Sequence, residues 1–225
     1  MRYQPEHRDR SRAKLVSASA ALAKRAGFGA SGIDALAKAA GLTSGALYKH
    51  FAGKDALLSA IVEHEFAATT ARFARLDAGQ VLVAVDAYLS LAHVRHPEGG
   101  CLLPSLAPEV ARASSATRAI YEEKLAELTS TLEAKVGDRA QAAALLALCV
   151  GAVVVARGLE SDAARTEILE AARTNARRLL VAPVAAPIVA PVAAPVAAPV
   201  AAPVAAPVVA PVAALERAEE EPTAR

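Results

Sequence analysis

Cys101 is the side chain in this sequence best placed to do chemistry. It follows Gly99-Gly100 and opens a short stretch, running to about Ala113, that reads as a Pro-interrupted helix. Peptide dipoles at a helix start favour thiolate, so the expectation is a pKa below the ordinary thiol value and a ligand-sensing role. The alternative is a small apolar packing residue, which is what a free cysteine most often is. Cys149, deep in the most apolar run, reads as structural. His93 and His96, three apart, with Glu98 and Cys101 close by, have donor types for a divalent metal. They straddle a Gly-rich break, so no metal and no cofactor are expected. A cysteine enzyme would need Cys101 beside a His base and an orienting acid. The chain has no Gly-x-Ser-x-Gly elbow, Walker-type loop, His-Glu-x-x-His or dinucleotide fingerprint. It reads as a non-enzyme, with a Cys101-dependent enzyme as the weaker alternative.

A second group sits on Ile33 to Phe51, IDALAKAAGLTSGALYKHF. Leu36, Ala37 and Ala40 share one helix face, and Gly41 falls where a left-handed C-cap residue belongs. Leu42 inserts behind the turn, and Thr43 or Ser44 can cap a second helix. Leu47 and Phe51 stripe that helix inward, while Thr43, Ser44, Ala46, Tyr48, Lys49 and His50 point elsewhere. Small Ala37 permits a close crossing. This is the pattern of a helix-turn-helix, whose second helix enters the DNA major groove, or of an ordinary helical hairpin. Charge favours the first. Residues 1–54 carry ten Lys/Arg and three acids, a net of +7, and the rest of the chain carries fifteen and twenty, a net of −5. A basic module on a mildly acidic body is the footprint of phosphate contact.

These residues also reach a family. Gly27-Phe28, Ser31-Gly32-Ile33, Leu36-Ala37, Ala40-Gly41-Leu42, the run Gly45 to Phe51, and Lys54-Asp55-Ala56-Leu57-Leu58 resemble the tetracycline-repressor (TetR) family over roughly residues 10–62. Leu47-Tyr48-x-His50-Phe51 followed by Lys54-Asp55-x-Leu57 is the most specific part. The resemblance implies a DNA-binding repressor, with Ser31, Gly32, Thr43, Ser44, Gly45, Ala46, Tyr48, Lys49, His50 and Lys54 at the DNA. Thr43 to Ala46 and Lys49 would face base edges and backbone; Tyr48, His50 and Lys54 would fix register on phosphates. Arg8, Arg10 and Arg12 would add backbone or minor-groove contacts. Gly32 departs from the pattern, since members usually carry Thr or Ser there. In the family a small-molecule effector shifts the fourth helix and spreads two heads of a homodimer. The Gly-Cys-Leu-Leu context resembles a subset whose cysteine senses electrophiles or oxidants.

The elements that must position these residues are helical. Hydrophobic residues make up 54% of the chain but aromatics only 4%, and a core of Ala, Leu and Val suits close-packed helices. The fold class expected is all-α: a helix-turn-helix head over 1–54, a helical ligand-binding and dimerisation body over 55–180, and a low-complexity Ala/Pro/Val tail over 181–225. Residues 1–9 read as loose, with a helix from Arg10 to about Ala26 striped by Leu15, Ala18 and Leu22. Ser31 is expected to cap the next. Ala52-Gly53 should close the recognition helix, and Lys54 should start a fourth helix to about Leu76. Further helices are expected over Gln80–His96, from Ser114 or Ser115 to Lys135, over Ala142–Ala156 behind an Asp138–Gln141 capping box, and over Ala163–Leu180. The Ala142–Ala156 run is apolar all round, which predicts burial. No membrane span is expected: that run is short, and a Pro every fourth residue from Pro183 to Pro211 forbids a helix in the tail. The charged N-terminus lacks an apolar signal region, so the chain reads as cytoplasmic. The tail is expected to be disordered, a semi-stiff polyproline II spacer or passive low-complexity extension or, alternatively, a partner-docking segment. The partners expected are a double-stranded DNA operator, a second copy of the chain, and an apolar or electrophilic effector.

Overall fold

Pro5 opens the first helix, α1 (Pro5–Ala26), in the computed structural model, which describes residues 5–181 and side chains from 8 to 180. Proline's fixed φ suits the first turn, so helix begins five residues before the expected Arg10 and takes in the segment read as loose. Leu15 and Val16 are buried, with Ala18 and Leu22 at the edge of the stripe. Gly27 ends α1 with φ +84°. Short helices α2 (Ile33–Ala39) and α3 (Ser44–Tyr48) complete the head. Ser31 does not cap α2; Gly32 does, without a side-chain bond. The Ser31 hydroxyl instead donates to the Gly27 carbonyl at 2.7 Å, holding the turn after α1. The recognition helix is also shorter than expected. After Lys49 the His50 N–H bonds three back, to the Leu47 carbonyl, tightening the chain out of helix before Ala52.

The body is built from seven further helices among the described residues. Helix α4 (Lys54–Ala74) buries Leu57, Leu58, Ile61, Val62 and Phe66. Asp77 and Gln80 form a capping box at the start of α5 (Ala78–Tyr88). The single helix expected over Gln80–His96 is broken at Leu89-Ser90, giving a separate α6 (Leu91–Arg95) and a 3₁₀ turn at Pro97–Gly99. Ser90 is the cause, because its hydroxyl donates back to the Ala87 carbonyl and accepts from the His93 N–H. Leu103–Ala111 forms α7 and Ser115–Val136 forms α8, capped by Ser114 and closed by Gly137 at φ +85°. Asp138 caps α9 (Arg139–Arg157), and α10 runs from Asp162 to Val181. No strand occurs among the described residues. Apart from Val181, the Ala/Pro/Val tail lies outside them.

One core joins head and body, from Leu15, Leu36 and Leu47 through α4 to Leu106 and Leu128. A second joins α5, α9 and α10 around Val81, Val153 and Leu169. Helix α9 is not buried all round. Ala142, Leu145, Cys149, Val153 and Ala156 face inward, but Ala143, Ala144, Ala147, Gly151, Val154 and Val155 are exposed. By length and composition α9 is long and apolar enough to cross a membrane, yet its inner stripe is packed against α8 and α10 in the helical body.

Candidate DNA interface and effector cavity

The turn between α2 and α3 is set by backbone hydrogen bonds. The Leu42 N–H reaches the Ala37 carbonyl and the Gly41 N–H reaches Lys38, with Gly41 at φ +68°. That is the Schellman pattern, and it needs a residue without Cβ at the left-handed position. Thr43 then caps α3, its hydroxyl accepting from the Ala46 N–H at 3.2 Å. Leu47 and Phe51 anchor α3 to the core. These constraints leave Thr43, Gly45, Tyr48 and Lys49 exposed, with Ser44, Ala46 and His50 half-buried. Tyr48 is 57% exposed, high for an aromatic ring. Gly32 is exposed, and a side chain there would meet open space.

Two of the expected contact residues are engaged inside the head. Ser31 is buried with its hydroxyl on Gly27. Lys54 donates to the Gly29 carbonyl at 3.0 Å and lies 4.9 Å from the Phe28 ring centroid. The loop therefore gives this lysine a partner at an N-terminus where the helix dipole disfavours it.

Charge on the head has a pattern that composition alone does not show. Arg8, Arg10, Arg12, Lys14, Lys38 and Lys49 are exposed, and among the described residues none forms an ion pair. In the body, Arg95, Arg139, Arg165, Arg173 and Arg177 each meet a carboxylate. The N-terminal turns of α1 flank the end of α3: Arg12 covers the Phe51 ring at 5.0 Å. Burial first, then the charges of Arg8 and Arg12, lower the His50 pKa. An uncompensated basic rim around a short exposed helix is what a phosphate backbone requires.

Beneath the head the body holds two adjoining cavities. The first, about 220 Å³, is lined by Arg72, Phe73, Leu76, Tyr88, His93 and Cys101, among others. The second, about 30 Å³, is apolar and runs past Val85, Leu128, Leu132 and Leu145 to Cys149. Phe73, Tyr88 and Cys101 line both. Cys101 does not match its expectation. It lies outside α7, two residues before Leu103, and burial pushes its thiol pKa up rather than down. Cys149 is pushed up to about 12 by burial first and then by Cys101. Both thiols are free.

His93 is a structural ligand of the chain itself. Its Nε2 accepts from the Cys101 N–H at 3.2 Å, which assigns the proton to Nδ1, and that atom donates to the Tyr88 carbonyl at 2.7 Å. With both nitrogens used, His93 has nothing left for a metal. No cluster of three metal-ligating side chains occurs among the described residues. The ring packs so closely that a methyl on Gly100 would fall 2.4 Å from it.

The same peptide unit ties cavity to head. Lys24, on α1 and 4% exposed, donates to Glu65 on α4 at 2.7 Å and to the Gly100 carbonyl at 2.9 Å. Gly100–Cys101 is thus held by the head on its carbonyl side and by the cavity wall on its N–H side. A lysine inside a basic segment gave no sign in the sequence of pairing forty-one residues away; only the fold brings these groups together.

Known proteins share the head sequence and the helical fold. Residues 15–61 match the family described as bacterial regulatory proteins, tetR family. This head belongs to the tetR family. The fold extends the likeness to the body. The reduced form of NemR from E. coli shares 22% identity at a TM-score of 0.66, over 78% of this chain and all of that one. A TetR-family transcriptional regulator from Cytophaga hutchinsonii gives 19% and 0.63, over 79% and 96% of the two chains. One from Agrobacterium tumefaciens gives 18% and 0.61, over 75% and 98%. No individually curated protein matches in sequence. Tetracycline-repressor head and all-helical body together are those of a DNA-binding transcriptional regulator.

Proposed function

We propose that the chain is a homodimeric repressor, released from a double-stranded DNA operator by a small effector bound in the cavity beside Tyr88 and Cys101. The observation that carries the DNA half is the set of unpaired basic side chains around exposed Tyr48 and Lys49. Thr43, Ser44, Gly45, Ala46 and Lys49 meet base edges and backbone, and Tyr48, His50 and the α1 arginines hold phosphates. Ser31 and Lys54 act by fixing the loop that carries α2 rather than by touching DNA. Two heads of a dimer would enter major grooves ~34–36 Å apart. Effector in the cavity displaces the Gly100–Cys101 peptide, and Lys24 passes the displacement to α1 and α4. Coupling of this kind is typically worth about 1–3 kcal/mol.

A second reading, covalent sensing through Cys101, is favoured by its place on both cavity walls and by the fold's likeness to a protein solved in a defined reduced form. The raised thiol pKa weighs against a preformed thiolate. Fluorescence-anisotropy titration on DNA from the gene's own upstream region, across a salt series, tests both. The expected result is binding tighter than to random DNA, steeply salt-dependent, and weakened at least tenfold by Tyr48→Ala or Lys49→Ala. No preference over random DNA would refute the repressor. Repeating the titration after N-ethylmaleimide, with Cys149→Ala and Cys101→Ala/Cys149→Ala, decides the second: loss of binding only where Cys101 is present supports covalent sensing, and indifference rejects it.

A further inference from the structure

The two cavities carry more chemical detail than a repressor as such requires, and the ligand class their walls specify rests on the proposed placement of the effector there. Neither is lined by a carboxylate, and Arg72 is the one charged side chain on their walls. Arg72 is in no ion pair among the described residues; its guanidinium lies 6.0 Å from the Phe73 ring centroid. Glu65, two turns earlier on α4, is taken by Lys24, and Asp86 on α5 is taken by Arg177. His93 is neutral and fully bonded. The Tyr88 hydroxyl, on both walls, is buried with only the Cys101 thiol beside it and no oxygen or nitrogen partner. Sulfur is a weak acceptor, and a ligand oxygen would be a stronger one. Beyond Tyr88 the walls turn wholly apolar and the space narrows to a slot.

We infer that this site takes a small amphiphilic carboxylate of medium-chain fatty-acid size, its head group on the Arg72 and Tyr88 side and its chain within the 220 Å³ cavity against Phe73, Leu76 and Ala84. A guanidinium and a hydroxyl are the donors a carboxylate accepts from, and the apolar lining of the 220 Å³ cavity suits a short chain. A cationic ligand finds no carboxylate partner on these walls.

The test is calorimetric titration of the full, reduced chain with octanoate, 1-octanol and octylammonium, all below their aggregation limits. Octanoate is expected to bind one per chain, at least tenfold tighter than octanol, with no binding of octylammonium. Arg72→Gln should remove the tenfold preference, and Arg72→Lys should restore part of it. Tyr88→Phe should weaken octanoate at least threefold without lowering the thermal midpoint of the free protein. Ala84→Trp, which fills the larger cavity, should abolish binding, while Lys49→Ala on the head should change nothing. Circular dichroism checks that each variant is folded. Octanol binding as tightly as octanoate, or an unchanged octanoate affinity in Arg72→Gln, would overturn the carboxylate class while leaving the effector cavity standing. Octanoate binding that survives Ala84→Trp lies elsewhere and overturns the placement. No heat from any of the three overturns the proposal together with the cavity reading beneath it.

Discussion

At the scale of single residues, the side chains that matter most are those whose partners lie far away in sequence. Asp55, at the start of α4, accepts from the Ser114 hydroxyl at 2.6 Å, and more weakly from the Ser114 N–H and the Thr117 hydroxyl. The Ser114 bond is the main cause that holds its carboxyl below the usual carboxylate range; burial opposes it. A carboxyl whose pKa is depressed in the folded state contributes stability above its unfolded value and loses it as pH falls through the folded one. Asp55→Asn should therefore lower the thermal midpoint at pH 6, with the gap closing as pH drops below the ordinary carboxylate range. Midpoints of both proteins from pH 2.5 to 7 check this, and a gap constant with pH would contradict it. Asp55 was legible as part of the Lys-Asp-x-Leu motif, but its partners, fifty-nine and sixty-two residues on, were not.

At the scale of elements, capping chemistry decided most boundaries, and where the sequence pattern misled, a side chain had a second option. Asp138 and Ser114 cap as their residue types suggest. Ser31 is also a good cap type, yet its hydroxyl finds the Gly27 carbonyl first. Ser90 looked like an ordinary helical residue and instead breaks a helix. The glycines of the head separate in the same way. Gly41 stands at φ +68°, where an L side chain is strained, so Gly41→Ala should cost about 1–2 kcal/mol. Gly32 is extended with open space around it, so Gly32→Ser should gain a few tenths of a kcal/mol at most. Urea denaturation of the two variants measures the contrast; equal effects would show that the turn is not held by the left-handed glycine.

At the scale of the whole molecule, α9 raises the question of assembly. Its outer stripe, Ala143, Ala147, Gly151, Val154 and Val155, is apolar and exposed, with Val154 and Val155 about half accessible. A stripe of that length on a monomer surface is a candidate interface, and the proposed homodimer would use it. Light scattering should give a mass near twice 23.0 kDa for the wild type. Val155→Asp should give the single-chain mass with helicity retained, because the fold does not bury this side chain. A monomeric wild type would remove the dimer from the proposed mechanism.

What the sequence determined by itself was local or periodic. The all-α class follows from helix-forming composition and 3.6-residue striping, and the head from a turn whose glycine, cap and anchors lie within nineteen residues, Ile33 to Phe51. Such features depend on neighbours along the chain, so they can be read there. The tertiary structure decided what depends on neighbours in space. It buried Cys101 and raised its pKa, bonded both nitrogens of His93, gave Lys54 a carbonyl and Lys24 a carboxylate. It left one face of α9 uncovered and set Arg72 and Tyr88 on a cavity with no carboxylate in its walls. Desolvation and long-range pairing are properties of the packed interior, which exists only once helices far apart in the chain have closed on one another.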